Sequence, residues 1–144
     1  MPLDVTIGRV ERDVILKLRA RELSYPGIPV TALSGDLSST TRHWAAWLGD
    51  AVVGCVSVMR LRGWALRGMA VAKEHQRQGV GERLLHAVCT EVDEPMWCNA
   101  RLEAVPFYSH LGWVQAGPIF YMGNQVPHQR MTWATVGPGS ARPK

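Results

Sequence analysis

The feature that most constrains the fold is an apolar segment that leads through a glycine-containing loop into an amphipathic helix. Residues 65–72 are mainly apolar, which predicts a buried strand. Apolar residues at positions 80, 84, 85, 88 and 92 then recur with a period near 3.6, which predicts a helix with one buried side. A strand followed by a helix in this way belongs to a βαβ unit, so parallel strand pairing is expected.

The segments around this unit predict an α/β mixed sheet of about seven strands with helices on both faces. Gly49-Asp50 is a two-residue turn signal between two strand patterns, so the N-terminal half of the sheet is expected to be antiparallel. Pro95 and Gly112 are expected to end the second and third helices. The predicted strands are 5–10, 41–48, 51–59, 65–72, 96–100, 113–122 and 129–134, and the predicted helices are 13–23, 80–92 and 102–111. Residues 24–39 are expected to form a long connection or a poorly formed helix.

Length and composition predict one globular domain at residues 1–136. The chain has 144 residues, of which 47% are hydrophobic and 19% charged, and this suits one packed core. The longest apolar run, 51–59, is far shorter than the ~20 residues that span a bilayer, and the first residues lack a signal pattern. We therefore expect a cytoplasmic protein with no membrane partner, and a disordered tail at 137–144.

Net charge and cysteine spacing restrict the ligands. The formal charge of +4 and the pI near 9.3 suit a polyanionic ligand, either a nucleotide cofactor or a nucleic acid. Lysines and arginines are dispersed and no nucleic-acid-binding motif is present, so no nucleic-acid partner is expected. Cys55, Cys89 and Cys98 form no CxxC pair and no Cys/His spacing of a zinc site. They are expected to be reduced thiols, and no metal site is predicted.

The loop at 76–81, with the sequence QRQGVG, is the motif that carries chemistry. Two glycines at a strand-to-helix junction allow close backbone approach, and the unpaired amides of a helix N-terminus are donors for an anion. A diphosphate is therefore the expected ligand. A P-loop would need Gly-Lys-Ser/Thr at the end of this segment, and a dinucleotide fingerprint would need a small residue in place of Leu84. Neither pattern is present.

This loop resembles the signature Gln/Arg-x-x-Gly-x-Gly/Ala of the GCN5-related N-acetyltransferase (GNAT) superfamily. Gln76, Gly79 and Gly81 occupy the signature positions, and the preceding Met69-Ala70-Val71 is similar to the end of the family's fourth strand. A second element, FYSHLGW at 107–113, resembles the Phe-Tyr-x-x-Leu-Gly-Phe element on the family's fourth helix. With both elements in register, the resemblance covers roughly residues 41–133.

The resemblance implies an acyl-CoA N-acyltransferase fold, in which the fourth and fifth strands splay apart around the pantetheine arm of coenzyme A. It implies acetyl-CoA as the donor, with pantetheine on the backbone of Met69 and Val71 and the diphosphate on the amides of 78–81. Arg77, Arg83 or Lys73 is expected to neutralise the remaining negative charge. The residues that the resemblance assigns to cofactor binding are Met69, Ala70, Val71, Gln76, Arg77, Gln78, Gly79, Val80, Gly81, Glu82, Arg83, Asn99, Phe107 and Tyr108.

The resemblance also implies direct transfer of the acetyl group to a primary amine, with Tyr108 as the proton donor to the leaving sulfur. A phenol with a pKa near 10 keeps its proton at neutral pH, as a general acid must. A fourth-strand amide, that of Val71 or a neighbour, is expected to stabilise the developing oxyanion. Cys98 is expected to be structural, because no His/Asp arrangement supports an acyl-enzyme. Most of the tryptophans are expected in the core, with one or two available to line the acceptor pocket.

The sequence does not identify the general base. Many family members carry a glutamate on the fourth strand, where this chain has Leu66-Arg67-Gly68. An acceptor amine of low pKa, which needs less help, is one alternative. The side chains that remain as candidates are Glu22, Glu74, Glu103, His43 and His128.

The missing carboxylate also keeps a second function open, a non-catalytic acyl-CoA-binding or regulatory module of the same fold. The acceptor is expected to be a small-molecule or peptide amine, which the sequence does not identify. Dimers are common in the family, so the resemblance allows a homodimer.

Overall fold

Eight strands and three α-helices are present in a computed structural model that describes residues 3–25, 27 and 33–134. Along the chain they are β1 (Thr6–Val10), α1 (Arg12–Leu23), β2 (Arg42–Leu48), β3 (Ala51–Arg60), β4 (Trp64–Val71), α2 (Val80–Val92), β5 (Met96–Arg101), α3 (Val105–His110), β6 (Val114–Gln115), β7 (Phe120–Met122) and β8 (Val126–Trp133). Short 3₁₀ turns at Lys73–His75 and Leu102–Ala104 precede α2 and α3.

All strands belong to one mixed sheet with the order β1-β2-β3-β4-β5-β8-β6, and β7 pairs with the first part of β8. Neighbouring strands from β1 to β4 are antiparallel, and β4 and β5 are parallel. Strand β8 is antiparallel to β5, β6 and β7. The expected α/β mixed sheet with an antiparallel N-terminal half is therefore confirmed.

The two long helices pack on opposite faces of this sheet. Side chains alternate along a strand, so Gly54 and Ser57 of β3 face opposite sides. Gly54 lies under α2, because a Cβ at this position would be 2.8 Å from Leu84 and 2.9 Å from Val80. Ser57 accepts a hydrogen bond of 3.0 Å from Arg19 of α1. Helices on both faces are thus confirmed, and the absence of a side chain at Gly54 lets α2 approach the sheet.

The core contains the apolar stripe predicted for α2. Its buried residues are Val80, Leu84, Leu85, Val88 and Val92. Complete burial of one such aliphatic side chain stabilises a fold by about 1.5–3 kcal/mol. The stripe therefore anchors α2 firmly, and with it the loop that precedes the helix.

Two helix ends were predicted, and the predicted end of α2 at Val92 is confirmed. Helix α2 ends at Val92, because Asp93 adopts the left-handed conformation with φ 48° and its N–H bonds to the Cys89 carbonyl at 3.0 Å. Pro95 follows two residues after Asp93, where a proline cannot continue the helix. Gly112 follows α3 with φ 93°, and its N–H donates to Ser109 at 3.2 Å, as predicted for a glycine just after a helix.

The single strand predicted at 113–122 is also wrong, because β6 and β7 are separate strands. Gly117 takes φ 78° between them, and Pro118 has no N–H to donate to a ladder. The side-chain amide of Gln129 donates to the carbonyls of Ala116 at 3.2 Å and Gly117 at 2.9 Å. Gln129 thereby satisfies the backbone groups that the break leaves without strand partners. The last strand starts at Val126, three positions before the predicted start.

The connection predicted at 24–39 lies partly outside the described residues. In its described part, residues 34–40 form turns and bends. The predicted tail at 137–144 lies outside the described residues, and the single-domain range 1–136 stays a prediction. No helix within the described ranges has the length and apolar character needed to cross a membrane.

Candidate active site

The central feature of the molecule is a cleft between β4 and β5. These strands pair only at their first residues, Trp64 with Met96 and Ala65 with Trp97, and then separate. The opening is a cleft of about 960 Å³, which we call the β4–β5 cleft. Beyond Ala65, β4 is hydrogen-bonded to β3 on one side, and its other edge faces the cleft.

A β-bulge marks the point where β4 diverges. Cys55 of β3 pairs with Ala70, and Ser57 pairs with Arg67, so two β4 residues stand opposite one β3 residue. Gly68, the first of these two, has φ 66°. A Cβ on Gly68 would be 3.1 Å from Nε of Arg19, so the position has neither the backbone conformation nor the space for a side chain. Bulges of this kind bend a strand and re-aim its groups, often beside active sites.

A buried polar network supports the bulge from the α1 side. Arg19 and Asp36 form an ion pair of 2.8 Å with side-chain exposures of 0% and 2%. Ser57 accepts from Arg19 and lies 2.6 Å from Nδ1 of His43. Burial alone would raise the pKa of Asp36, but hydrogen bonds from Arg19 and the Leu33 amide, with the charges of Arg19 and Arg67, hold that pKa below its usual value. Asp36 is therefore ionised in the folded protein at neutral pH.

The loop at 76–81 places a helix N-terminus at the end of β4. Arg77 and Gly79 both adopt positive φ, 63° and 83°, and no side chain caps α2 at this end. The N–H of Arg83 makes the first intrahelical bond, to the carbonyl of Gly79 at 3.1 Å. The preceding amides of α2 are consequently available to an anion. Gln76 fastens the loop to the strand, because its side-chain amide donates to the Val71 carbonyl at 3.1 Å.

The second glycine of the loop has a packing role in addition to lining the cleft. A Cβ on Gly81 would be 3.2 Å from the ring of Phe107 and 3.6 Å from Val71. The aromatic element on α3 therefore lies directly against the glycine loop. The two sequence elements that carried the family resemblance are in contact in the fold.

Most of the predicted cofactor-binding residues line the β4–β5 cleft. They are Met69, Ala70, Val71, Gln76, Arg77, Gly79, Val80, Gly81, Glu82, Asn99, Phe107 and Tyr108. Two others are not part of its lining. Gln78 accepts a hydrogen bond from the Leu3 amide through its backbone carbonyl at 2.8 Å, and Arg83 lies 3.9 Å from Asp4. Arg77 is thus the candidate phosphate-binding side chain that the cleft itself contains.

Tyr108 lies at the wall of the cleft with 5% of its surface exposed. Burial and the adjacent Cys98 raise the pKa of Tyr108 well above its usual value. The phenol is therefore protonated throughout the physiological range. Burial likewise raises the pKa of Cys98 to about 12, so this thiol is a poor nucleophile.

The opposite wall contains a cluster in which the sequence analysis identified Asn99 but not Arg101 or Tyr25. Along β5, residues 96, 98 and 100 are buried, whereas Trp97, Asn99 and Arg101 are partly exposed; all of them except Met96 border the cleft. The guanidinium of Arg101 lies 4.2 Å from the ring centroid of Tyr25 and donates to the Leu23 carbonyl. Alternation along the predicted strand at 96–100 was the signal for the partly exposed set. The contact with Tyr25 has no local signal, because it joins segments far apart in sequence.

Tyr25 also bonds to His128, which fixes the tautomer of that ring. Nδ1 of His128 lies 2.8 Å from the Val126 carbonyl oxygen, and Nε2 lies 3.1 Å from the Tyr25 hydroxyl. A carbonyl only accepts, so in the neutral ring Nδ1 carries the proton and Nε2 accepts from Tyr25. His128 lines the cleft, but its imidazole lone pair is already occupied by the Tyr25 hydroxyl.

The other candidate bases occupy different environments. Glu22 and Glu103 line the cleft, but Glu22 already accepts from Arg21 and from the Lys73 amide. Glu74 is on the surface, paired with Arg21 at 3.2 Å, and His43 belongs to the buried network. Across the described ranges, no cluster of three or more His, Cys, Asp or Glu side chains is arranged to hold a metal ion.

Comparison with solved structures identifies similar folds at low sequence identity. An acyl-CoA N-acyltransferase from Pseudomonas aeruginosa matches with a TM-score of 0.74 and 18% identity, over 91% of this chain and 100% of the other. ElaA from Escherichia coli matches with a TM-score of 0.77 and 17% identity, over 90% and 99%. An aminoglycoside 6′-N-acetyltransferase complexed with coenzyme A matches with a TM-score of 0.72 and 16% identity, over 96% and 99%.

Sequence comparison identifies the family. A search of curated proteins found no match. A sequence model described as an acetyltransferase (GNAT) domain matches residues 16–135, which is most of the chain and includes the glycine loop, the splayed strands and Tyr108. This chain therefore belongs to the GNAT acetyltransferase family.

Proposed function

We propose that this protein is an N-acetyltransferase that moves an acetyl group from acetyl-CoA directly to a primary amine. The observation that carries the proposal is the convergence of three features on one cleft. These are the unpaired edge of β4, the uncapped N-terminus of α2 with Arg77, and the protonated phenol of Tyr108. Each feature matches a different part of an acyl-CoA donor.

The residues present fit coenzyme A. The cleft-facing edge of β4 offers backbone groups of Met69 and Val71 to an extended amide-containing chain, as in strand addition. The amides of Val80 and Gly81 suit a diphosphate, and Arg77 forms no ion pair among the described residues. Asn99 is a less direct partner, because its side-chain oxygen accepts from Arg130 at 2.8 Å.

Bound acetyl-CoA supplies a thioester carbonyl that is open to attack by an amine. As the amine nitrogen forms its bond to the carbonyl carbon, an amide of β4, that of Val71 or a neighbour, stabilises the charge that develops on oxygen. The C–S bond then breaks, and Tyr108 donates its proton to the departing sulfur. The amine loses one proton, which restores the phenol through solvent. Cys98 takes no covalent part, because its thiol is buried and protonated.

A two-stage experiment tests this proposal. Thermal unfolding with and without ~1 mM acetyl-CoA comes first, with NAD and ATP as controls. A ligand at about 100 times its Kd adds ~2.7 kcal/mol, or roughly 5 to 10 °C for a domain of this size. Release of free thiol in the presence of an amine panel comes second.

The two stages separate the competing functions. A shift with acetyl-CoA alone followed by turnover supports the enzyme. A shift without turnover across a broad panel would favour the acyl-CoA-binding or regulatory module. An unchanged unfolding temperature with acetyl-CoA would argue against both the enzyme and the acyl-CoA-binding module.

A further inference from the structure

Arginines that lack a carboxylate partner indicate where the protein can receive negative charge from a ligand. Among the described residues, the arginines outside every ion pair are Arg62, Arg77, Arg101 and Arg130. Arg62 is exposed next to β4, and Arg77 lies in the loop that we propose for the diphosphate. Arg101 and Arg130 remain; Arg101 lines the other side of the β4–β5 cleft, and Arg130 is on the adjacent strand β8, outside the cleft lining.

Strand pairing places these two side chains on one surface. Asn99 pairs with Arg130 and Arg101 pairs with His128 in the β5–β8 ladder, and residues opposite each other in a ladder share a face. Nε of Arg130 donates to Asn99 at 2.8 Å, and its guanidinium lies 4.2 Å from the ring centroid of Trp97. We call this surface of β5 and β8 the cleft floor.

Both guanidinium groups are held in position with donors to spare. A guanidinium has five N–H donors in a fixed planar fork. Arg101 uses one nitrogen for the Leu23 carbonyl and rests on the ring of Tyr25. That ring lies directly against Gly123, where even a Cβ would clash with it. The Arg101 guanidinium is thus supported by packing, and its other N–H groups are available to the cleft.

The carboxylates of the cleft do not neutralise this floor. Glu22 is engaged by Arg21 at 2.9 Å and by the Lys73 amide at 3.2 Å. Asp36 is buried and engaged by Arg19 and Arg67. Glu82 and Glu103 also line the cleft, but Glu82 is in the first turn of α2 and Glu103 is in the 3₁₀ turn after β5. No described carboxylate forms an ion pair with either floor arginine.

We infer that the acceptor is a small amine that carries a carboxylate, which binds to Arg101. This inference deepens the proposed function and rests on it, since the same cleft must hold the acetyl donor. The planar fork of arginine matches a carboxylate in two parallel hydrogen bonds. Trp97, Leu61 and Met122 line the same cleft and suit an apolar body between the two polar ends, as in an apolar α-amino acid.

The direct test compares acceptors that differ only in the carboxylate. Phenylalanine, phenylalaninamide and phenethylamine form one series, and leucine and leucinamide form a second. We expect kcat/KM for the carboxylate member to exceed that of its amide by roughly ten- to hundredfold, the range for one charge-assisted hydrogen bond. Equal or faster turnover of the neutral members would overturn the inference and leave the N-acetyltransferase proposal intact.

Variants test whether Arg101 is responsible for the preference for the carboxylate acceptor. Arg101→Gln is expected to abolish the preference for the carboxylate member, Arg101→Lys to retain part of it, and both to keep the thermal shift with coenzyme A. Arg62→Gln removes the same charge from an exposed position outside the cleft lining and is expected to keep the full preference. An unchanged preference in Arg101→Gln would refute the assignment.

If no amine is acetylated, the proposed function fails. The inference about the carboxylate is then tested by measuring binding. Each member of the two series would then be titrated into the wild-type protein saturated with coenzyme A. Binding of the carboxylate members at least tenfold tighter than their amides, lost in Arg101→Gln, would uphold an anion-binding floor. Equal affinity or no binding would overturn it.

Discussion

Replacement of Asp36 by asparagine tests the buried network beneath the bulge. The change keeps the side-chain shape and one oxygen for the Leu33 amide, but it removes the charge opposite Arg19, whose side chain is 0% exposed. Loss of one partner of a buried ion pair costs about 3–5 kcal/mol, because the other charge stays buried without compensation. Arg67, at 3.3 Å from the same carboxylate, loses its partner too. Asp36→Asn should therefore lower the free energy of unfolding by at least ~3 kcal/mol.

Urea denaturation measures this loss. With an m-value of about 2 kcal/mol/M, the midpoint should fall by roughly 2 M. Glu91→Gln is the matched control, because Glu91 pairs with Arg9 and Arg42 at the surface, where an ion pair contributes about 0–1 kcal/mol. A loss below ~1 kcal/mol in Asp36→Asn, or one no larger than in Glu91→Gln, would refute the electrostatic account of the network.

The pH dependence gives the same prediction an independent check. The pKa of Asp36 is lower in the folded protein than its unfolded value of about 3.9. A lowered folded pKa contributes stability that is complete above the unfolded pKa and is lost as pH falls through the folded pKa. The free-energy difference between wild type and Asp36→Asn should thus be constant from about pH 8 to 5 and shrink below about pH 4. A difference that grows on acidification would contradict this sign.

Other predictions concern the chemistry of the cleft. Tyr108→Phe should lower kcat by roughly 10²- to 10⁴-fold with little change in the Kd for coenzyme A by calorimetry, and an unaltered rate would reduce Tyr108 to a packing residue. Gly79→Ala should weaken coenzyme A binding because φ is 83° at this position. The control Gly8→Ala should leave the affinity unchanged, because a Cβ at position 8 meets nothing within 4 Å. Equal affinities of the two variants would mean that the diphosphate binds elsewhere. Cys98→Ala should keep most of the turnover in a thiol-release assay, and complete loss with the fold intact would reopen covalent catalysis.

The elements predicted correctly are those whose signal is local. The stripe of α2, the turn at Gly49-Asp50 and the glycine loop are each visible within a short window of sequence, because helix period, turn residues and backbone approach depend on neighbours. The break between β6 and β7 was missed although Gly117 and Pro118 lie in the window. Its stabilising partner, Gln129, lies on another strand.

The candidate site was predictable only on the side of the cofactor. The residues of the loop and Tyr108 belong to two contiguous motifs, whereas Tyr25, Arg101 and His128 converge through strand order and a long connection. Their contacts depend on the β5–β8 register and on the space that Gly123 leaves for a ring. The register between two strands that are distant in the chain cannot be predicted from a single sequence.

Buried and partly exposed residues alternate along β5, which separates substitutions that affect the core from substitutions that affect the cleft floor. Met96, Cys98 and Ala100 on its buried side belong to the core that holds Tyr108, whereas the other side of the strand forms part of the cleft floor. If the proposed acceptor site is correct, substitutions on the floor side should alter which acceptor binds while leaving the core around Tyr108 unchanged. A library that randomises only positions 97, 99 and 101 should sample new acceptor preferences at a lower cost in stability than a library of the intervening core positions.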